Sequence, residues 1–343
     1  MSVRIDSTAR PGVGHTLATT KEEESGMHRK TSMRAGLAAL TISSLGLAAS
    51  MTPAAAQDET MAGEGKTIAV ITPDYAAQPA AKEAIDLFMT EAQARGYEVS
   101  LTDTASDNAA INGEITTAVA QDVDAIVTAF GTPQEFGEGL ANAGEAGVPV
   151  FGLDTGGVVE PTLVNVTTDP GFLGEASAQA IIDALGSEGQ IAMIHFDPFE
   201  PVRLRAEAAK ALFDASGIEV VEYIQGDPAD STGFARATVL DLLVKYPEGD
   251  LDAVWAGWDA SALGAFQATQ ETGRSEVIVT GVDGQDFARA EVAKGENWIA
   301  TVRQDWPTIA TTLADIIDAH FAGTDPTEST VFVDAVVLTA ENA

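Results

Sequence analysis

The chain has 343 residues, with 52 Asp and Glu against 18 Lys and Arg, and therefore a formal net charge of −34. Such a surface repels nucleic-acid phosphates, so we expect no nucleic-acid partner. The sequence contains no cysteine and four histidines, which excludes disulfides and a lipid-modified cysteine as a membrane anchor and argues against a zinc site. We expect neither a metal nor another cofactor.

The first 56 residues have the pattern of an export leader. Basic residues within 28–34 precede an uncharged apolar run at 35–49, and three small residues that end at Ala56 follow. The apolar run is too short to span a bilayer as a helix. We therefore predict a secretory signal peptide that is cleaved near Ala56, and a periplasmic mature protein. Acidic residues at 22–24 are atypical of a leader, which suggests that translation starts at Met27.

Beyond this leader, short apolar strands alternate with segments of helical periodicity. The predicted strands are 67–72, 97–101, 125–129, 148–153, 190–196, 218–224, 252–256, 276–282, 298–302 and 331–338. The predicted helices are 79–95, 107–121, 133–146, 170–185, 201–216, 230–245, 258–272, 284–294 and 306–321. This alternation indicates an α/β fold with parallel sheets covered on both faces, and its length favours two doubly wound lobes.

Ligands of doubly wound sheets bind beyond the carboxyl ends of the strands. The loops at those ends carry polar and aromatic side chains: Asp74, Tyr75, Gln78, Asp154, Arg205, Trp258, Asp283 and Gln304. Carboxylates, amides and guanidinium groups match the hydroxyls of a sugar, while an aromatic face covers its C–H surface. Any one of these residues could instead cap a helix or lie on the surface. Their recurrence at equivalent strand ends predicts a site for a small polyhydroxylated ligand.

Five segments resemble the ribose- and galactose-type periplasmic sugar-binding proteins of ABC importers. These segments are VPVFGLD ending at Asp154, RLRAEA from Arg203, DAVWAGWDASALGA from Asp252, VTGVDG around Asp283 and ATVRQ ending at Gln304. Their order and spacing cover nearly the whole chain after the leader. The resemblance implies the type I periplasmic binding protein fold, with no enzymatic activity. It also implies a monomer that delivers its ligand to an ABC permease and its ATPase.

The resemblance also assigns roles. It implies that Asp154, Arg205, Asp283 and Gln304 bond the hydroxyls of the ligand. Two departures concern the ligand's identity: Thr155 stands where ribose-type members have an arginine, and Trp258 stands where many members have an asparagine. Both argue against ribose itself, and a pyranose, a polyol or another less polar solute fits better.

The family's chain crosses between its lobes three times, here expected near Thr168, near Asp305 and near residue 328. The amino-terminal lobe would then comprise residues 57–168 and 305–327, and the carboxy-terminal lobe residues 169–304 and 328–343. Members close around their ligand by bending at this hinge.

Other functions remain open at this point. A ligand-loaded protein could be presented to a chemoreceptor or a sensor kinase rather than to a transporter. An exported glycosidase with a pair of carboxylates is a less favoured alternative. The sequence contains no G-x-S-x-G elbow and no phosphate-binding loop. A repressor core with the same fold is disfavoured, because residues 1–56 have no helix-turn-helix pattern and the net charge is strongly negative.

Overall fold

The computed structural model describes residues 61–343, so the predicted leader and its cleavage point lie outside the described residues. The first half of this region contains β1 (Thr67–Thr72), α1 (Pro79–Ala94), β2 (Glu98–Asp103), α2 (Asn108–Ala120), β3 (Ala125–Ala129), a 3₁₀ turn (Pro133–Glu135), α3 (Gly137–Ala146), β4 (Val150–Leu153) and β5 (Thr162–Thr167).

The second half contains α4 (Pro170–Leu185), β6 (Gln190–His195), α5 (Glu200–Ser216), β7 (Glu219–Gln225), α6 (Ser231–Lys245), β8 (Ala253–Ala256), α7 (Asp259–Thr272), β9 (Ile278–Asp283), α8 (Asp286–Val292), β10 (Trp298–Gln304), α9 (Trp306–Phe321), β11 (Thr330–Phe332) and β12 (Ala335–Thr339).

These strands form two six-stranded sheets, in the orders β11-β5-β4-β3-β1-β2 and β12-β10-β9-β8-β6-β7. Every pairing is parallel except that of β10 with β12. We call the first sheet with its helices the amino-terminal lobe, and the second sheet with its helices the carboxy-terminal lobe. The predicted α/β fold class, with two doubly wound lobes, is confirmed.

The local sequence explains why the helices form where they do. On α1, Ala81, Ile85, Phe88 and Ala92 recur at helical spacing, and all four are buried in the core of the amino-terminal lobe. Aspartates cap the N-termini of several helices. At α4, the N-cap residue Asp169 accepts hydrogen bonds from backbone N–H groups in the first turn of the helix. Within residues 61–343 no helix is long and apolar enough to cross a membrane.

Two differences from the sequence-based prediction concern the hinge. Strand β5 was not predicted, because its buried Asn165 interrupts the apolar pattern. The Asn165 side chain accepts from the backbone N–H of Thr155 and donates to its carbonyl oxygen.

The single strand predicted at 331–338 is two strands in the structure. Strand β11 pairs with β5 in the amino-terminal lobe, and β12 pairs with β10 in the other lobe. The last crossing therefore lies between Phe332 and Ala335, later than the expected residue 328, because the amino-terminal sheet takes β11 as its edge.

Candidate ligand-binding cleft

A partly open cavity lies between the two lobes, at the carboxyl ends of their strands. Its walls are formed by Asp74, Gln78, Ala80, Phe130, Asp154, Phe196, Phe199, Val202, Arg205, Pro228, Trp258 and Asp283. Six of the eight residues proposed from sequence are among them. Both lobes contribute, as expected for a site at the ends of two parallel sheets.

A buried polar network forms one part of the cavity wall. Arg205, in the second turn of α5, donates through Nη1 to the carbonyl oxygen of Gly257 (3.1 Å) and to Oδ1 of Asp283 (3.3 Å). Gln304 donates through Nε2 to the same Oδ1 at 3.0 Å. From the amino-terminal lobe, Asp154 accepts a hydrogen bond from the hydroxyl of Thr167. The network thus places two carboxylates close to one guanidinium group.

Three buried polar atoms of this network have no hydrogen-bonding partner within the described chain: Oδ2 of Asp154, Nε of Arg205 and Oε1 of Gln304. A buried polar atom without a partner costs about 1–3 kcal/mol. Two of these atoms are acceptors and one is a donor. A hydroxyl group can donate to the first kind and accept from the second, so a polyhydroxylated molecule suits the set.

Burial also governs the charges in the cavity. It raises the pKa of Asp154, while Arg205 and the bond from Thr167 act in the opposite direction. Burial likewise raises the pKa of Asp283, against the opposing effects of Arg205 and Gln304. At the other side of the cavity, burial together with nearby Asp103 raises the pKa of Asp74 to about 6. Arg205 is the single cation among the cavity-lining residues, so the wall is net negative at neutral pH.

The backbone is strained where three strands meet the cavity. Phe130, Asp154 and Asp283 adopt φ angles of 54°, 49° and 115°, in the region that side-chain-bearing residues seldom occupy. These residues lie at the carboxyl ends of β3, β4 and β9, and all three line the cavity. Such conformations cost about 1–3 kcal/mol each and concentrate at functional sites, where they aim particular side chains.

Aromatic side chains form the apolar part of the wall. The indole Nε1 of Trp258 donates to the hydroxyl of Ser231 at 3.0 Å, which satisfies its polar atom and leaves the ring face to the cavity. Phe130 and Phe199 stack across the cleft, with ring centroids 6.4 Å apart. A cavity with one polar side and aromatic surfaces suits a sugar ring, which presents hydroxyls at its edge and C–H groups on its faces.

Two residues proposed from sequence do not line the cavity. The hydroxyl of Tyr75 donates to Asp86 at 2.7 Å and accepts from Lys82, which holds the ring against α1. Tyr75 is therefore not among the residues that line this cavity. Gln304 lies beside the cavity and supports Asp283.

The cavity also has apolar wall residues that were not predicted from sequence, among them Phe130, Phe196, Phe199 and Val202. The predicted site consisted of polar residues after strands with two aromatic residues, Tyr75 and Trp258. Phe130 directly follows a predicted strand, and Phe196 ends another, so the same positional signal was present for apolar side chains.

The periplasmic binding protein domain model matches residues 68–325, a range that includes every cavity-lining residue. A D-apiose import binding protein of Actinobacillus succinogenes is 25% identical over 280 residues, which cover 80% of this chain and 89% of that protein. The D-allose-binding periplasmic protein of Escherichia coli is 31% identical over 221 residues, which cover 58% of this chain and 68% of that protein.

The structural comparison agrees with the sequence matches. The crystal structure of an ABC sugar transporter subunit from Rhodobacter sphaeroides 2.4.1 superposes with a TM-score of 0.75 at 26% identity, over 81% of this chain and 99% of that chain. The resemblance stated from sequence motifs is thereby confirmed. Because the family model spans both lobes and the cleft between them, the chain belongs to the periplasmic binding protein family.

Proposed function

We propose that this protein captures an uncharged sugar or polyol in the cleft and delivers it to an ABC permease and its ATPase. The observation that carries the proposal is the set of three unpaired polar atoms, on Asp154, Arg205 and Gln304, beside one cavity with aromatic walls. Relatives named for D-apiose and D-allose support the ligand class. The excess of carboxylates over cations in the wall disfavours sugar acids and sugar phosphates.

The remaining parts of the proposal follow from the leader and the family. We propose export to the periplasm with cleavage near Ala56, and a mature monomer without a membrane anchor. Binding without chemical turnover is part of the same proposal, since the family consists of solute-binding proteins. The polar network is an arrangement for holding hydroxyls, and its one guanidinium is already engaged by Asp283.

A thermal-shift screen over pentoses, hexoses, polyols and inositols tests the ligand class. A ligand that binds only the native state stabilises it by RT ln(1 + [L]/Kd), which is about 2.7 kcal/mol at a hundredfold excess over Kd. We expect saturable stabilisation by at least one neutral member, and none by glucuronate or ribose 5-phosphate.

With that neutral member, small-angle scattering should show a smaller radius of gyration than in the free protein. Stabilisation by the anionic sugars alone, or release of a product from the sugar, would contradict the proposal.

Truncation of Trp258 tests the apolar wall. Trp258→Ala should weaken binding of the sugar found in the screen about ten- to a hundredfold, because an aromatic surface worth roughly 1.5–3 kcal/mol is lost. Trp258→Phe keeps a flat ring and should retain most of the affinity. Isothermal titration calorimetry measures both variants. Equal losses for the two substitutions would show that the indole's bond to Ser231, rather than its face, determines binding.

A further inference from the structure

Two glutamine side chains bridge the lobes across the cleft. Gln78, which precedes α1 in the amino-terminal lobe, donates through Nε2 to the hydroxyl of Ser231 at 3.1 Å and to the carbonyl oxygen of Pro228. Both acceptors lie at the start of α6, in the carboxy-terminal lobe. Although Gln78 lines the cavity, its amide donors are thus directed to the opposite lobe rather than left unpaired.

The second bridge runs in the opposite direction. Gln285, from the carboxy-terminal lobe, donates through Nε2 to Oε2 of Glu83 on α1 at 2.7 Å. Gln285 is 5% exposed and Glu83 is half-buried, so the bond is partly shielded from water. Burial raises the pKa of Glu83 and Asp286 adds to this effect, while the bond from Gln285 and the nearby Arg303 and Arg289 act in the opposite direction. The hydrogen bond from Gln285 is therefore the strongest of the interactions that favour the Glu83 carboxylate.

Each bridge is attached to a cavity-lining residue. The hydroxyl of Ser231, which receives Gln78, also receives the indole N–H of Trp258. Gln285 is two residues beyond Asp283, in a turn that Asp259 holds by accepting the Gln285 N–H at 2.8 Å.

The same carboxylate fixes the rest of this turn. Asp259 also accepts from the hydroxyl of Thr301 at 2.7 Å, and Thr301 accepts from the N–H of Gly284. Gly284 has a φ of 67°, and a Cβ there would lie 2.4 Å from the side chain of Arg303, so the turn requires glycine. Asp283 in the cavity and Gln285 at the bridge are therefore positioned together.

We propose that Gln78 with Ser231, and Gln285 with Glu83, are two closure latches that set ligand affinity by holding the lobes together. The inference rests on the proposed function, since it concerns closure around a captured ligand. A latch stabilises the closed state, and the apparent Kd varies inversely with the fraction of molecules that can close. Loss of a latch therefore weakens every ligand by the same factor, whereas a change in the cavity wall alters the preference among ligands.

Calorimetry and stopped-flow dissociation test the latches with the two neutral sugars that bind the wild type most tightly in a panel of D-apiose, D-allose, D-ribose, xylitol and myo-inositol. Gln78→Ala and Gln285→Ala should each weaken both sugars about three- to tenfold, mainly through faster dissociation. In Gln285→Ala, which changes no cavity-lining side chain, the ratio of the two Kd values should stay at its wild-type value. The double variant should lose about the product of the two factors, since the sites share no partner.

Matched variants separate a latch from a general structural role. Glu83→Gln keeps an oxygen that accepts from Gln285 and should bind like wild type, while Glu83→Ala should weaken binding as Gln285→Ala does. Gln285→Glu places a carboxylate opposite that of Glu83, and the repulsion between the two should weaken binding most at pH 8. Gln179→Ala, which removes an exposed amide bonded only to Asp183 within α4, is the control and should have no effect.

The absence of cysteine allows the lobe separation to be measured directly. Spin labels at Ala120→Cys and Ala215→Cys, one exposed position on each lobe, report the interlobe distance with and without sugar. The latch variants should shift the population to longer distances. Wild-type distances and dissociation rates in both latch variants would overturn the proposal, and so would an altered Kd ratio in Gln285→Ala. If no sugar of the panel binds the wild type, the proposed function fails. The interlobe distances measured in the ligand-free wild type and latch variants then still test whether the latches favour closure.

Discussion

Replacing Arg205 with methionine is expected to weaken ligand binding about ten- to more than a hundredfold. The guanidinium is 2% exposed, its Nε lacks a partner, and it is the one cation of the cavity wall. Its removal takes away a charged donor to the ligand, worth about 1.5–3 kcal/mol, and leaves Asp154 and Asp283 to repel each other. Isothermal titration with the neutral sugar found in the screen measures the loss.

The same substitution should also lower the stability of the ligand-free protein. Arg205 donates to Asp283 inside the carboxy-terminal lobe, and breaking a buried pair by removing one partner costs about 3–5 kcal/mol. A role restricted to ligand contact would leave the free protein unchanged, whereas we propose that this residue both binds the ligand and pairs with Asp283. The deficit should shrink at pH 5, because protonation of the two carboxyls removes the uncompensated charge.

Arg203→Met is the matched control for this prediction. Arg203 lies on the same helix, two residues earlier, and its partners Glu200 and Glu207 are partly exposed. We expect its replacement to change stability by less than about 1 kcal/mol and to leave binding intact. Wild-type affinity in Arg205→Met would refute its role in the site, whatever the melting temperature shows.

The ligand-free protein is expected to be more stable at pH 5 than at pH 8. Burial raises the pKa of Asp74 to about 6 and raises those of Asp154, Asp259 and Asp283, from an unfolded value of about 3.9. A carboxyl whose pKa is higher in the folded state binds more protons there than in the unfolded chain. Its stabilising contribution is therefore complete below the unfolded pKa and is lost as the pH rises through the folded pKa.

The expected size of this pH effect is about 1–3 kcal/mol of unfolding free energy between pH 5 and pH 8. His195 acts in the opposite direction, because burial lowers its pKa and its stability contribution therefore grows with pH. The aspartates outnumber it, so the net slope should be negative. Urea denaturation at a series of pH values measures the slope.

A neutral substitution identifies the groups responsible for this slope. Asp74→Asn should stabilise the free protein at pH 8 and change it little at pH 5, which flattens the curve. Glu175→Gln removes an exposed carboxylate on α4 and serves as the control. A rising stability from pH 5 to pH 8 in the wild type, or an unchanged slope in Asp74→Asn, would show that burial does not raise the pKa values of these carboxyls as proposed.

The alternation of strands and helices was accessible from sequence because it depends on local periodicity. Apolar runs such as 67–72 and 125–129 became buried parallel strands, and the face of α1 predicted from spacing is the face that packs. The ends of these strands converge in any doubly wound sheet, which is why Asp154, Asp283 and Arg205 could be chosen before their positions were known.

Only the tertiary structure decided which partners bond the side chains of the predicted site. Tyr75 and Gln78 occupy the same predicted loop, yet Tyr75 bonds Asp86 on α1 and Gln78 reaches Ser231 in the other lobe. No local pattern encodes either choice, because each depends on a partner at another point in the chain. The switch of residues 330–339 between two sheets likewise depends on which edge is free to pair. Sequence thus determined the fold class and the strand ends that meet at the cleft, while contacts between distant residues determined which side chains line the cavity and which join the lobes.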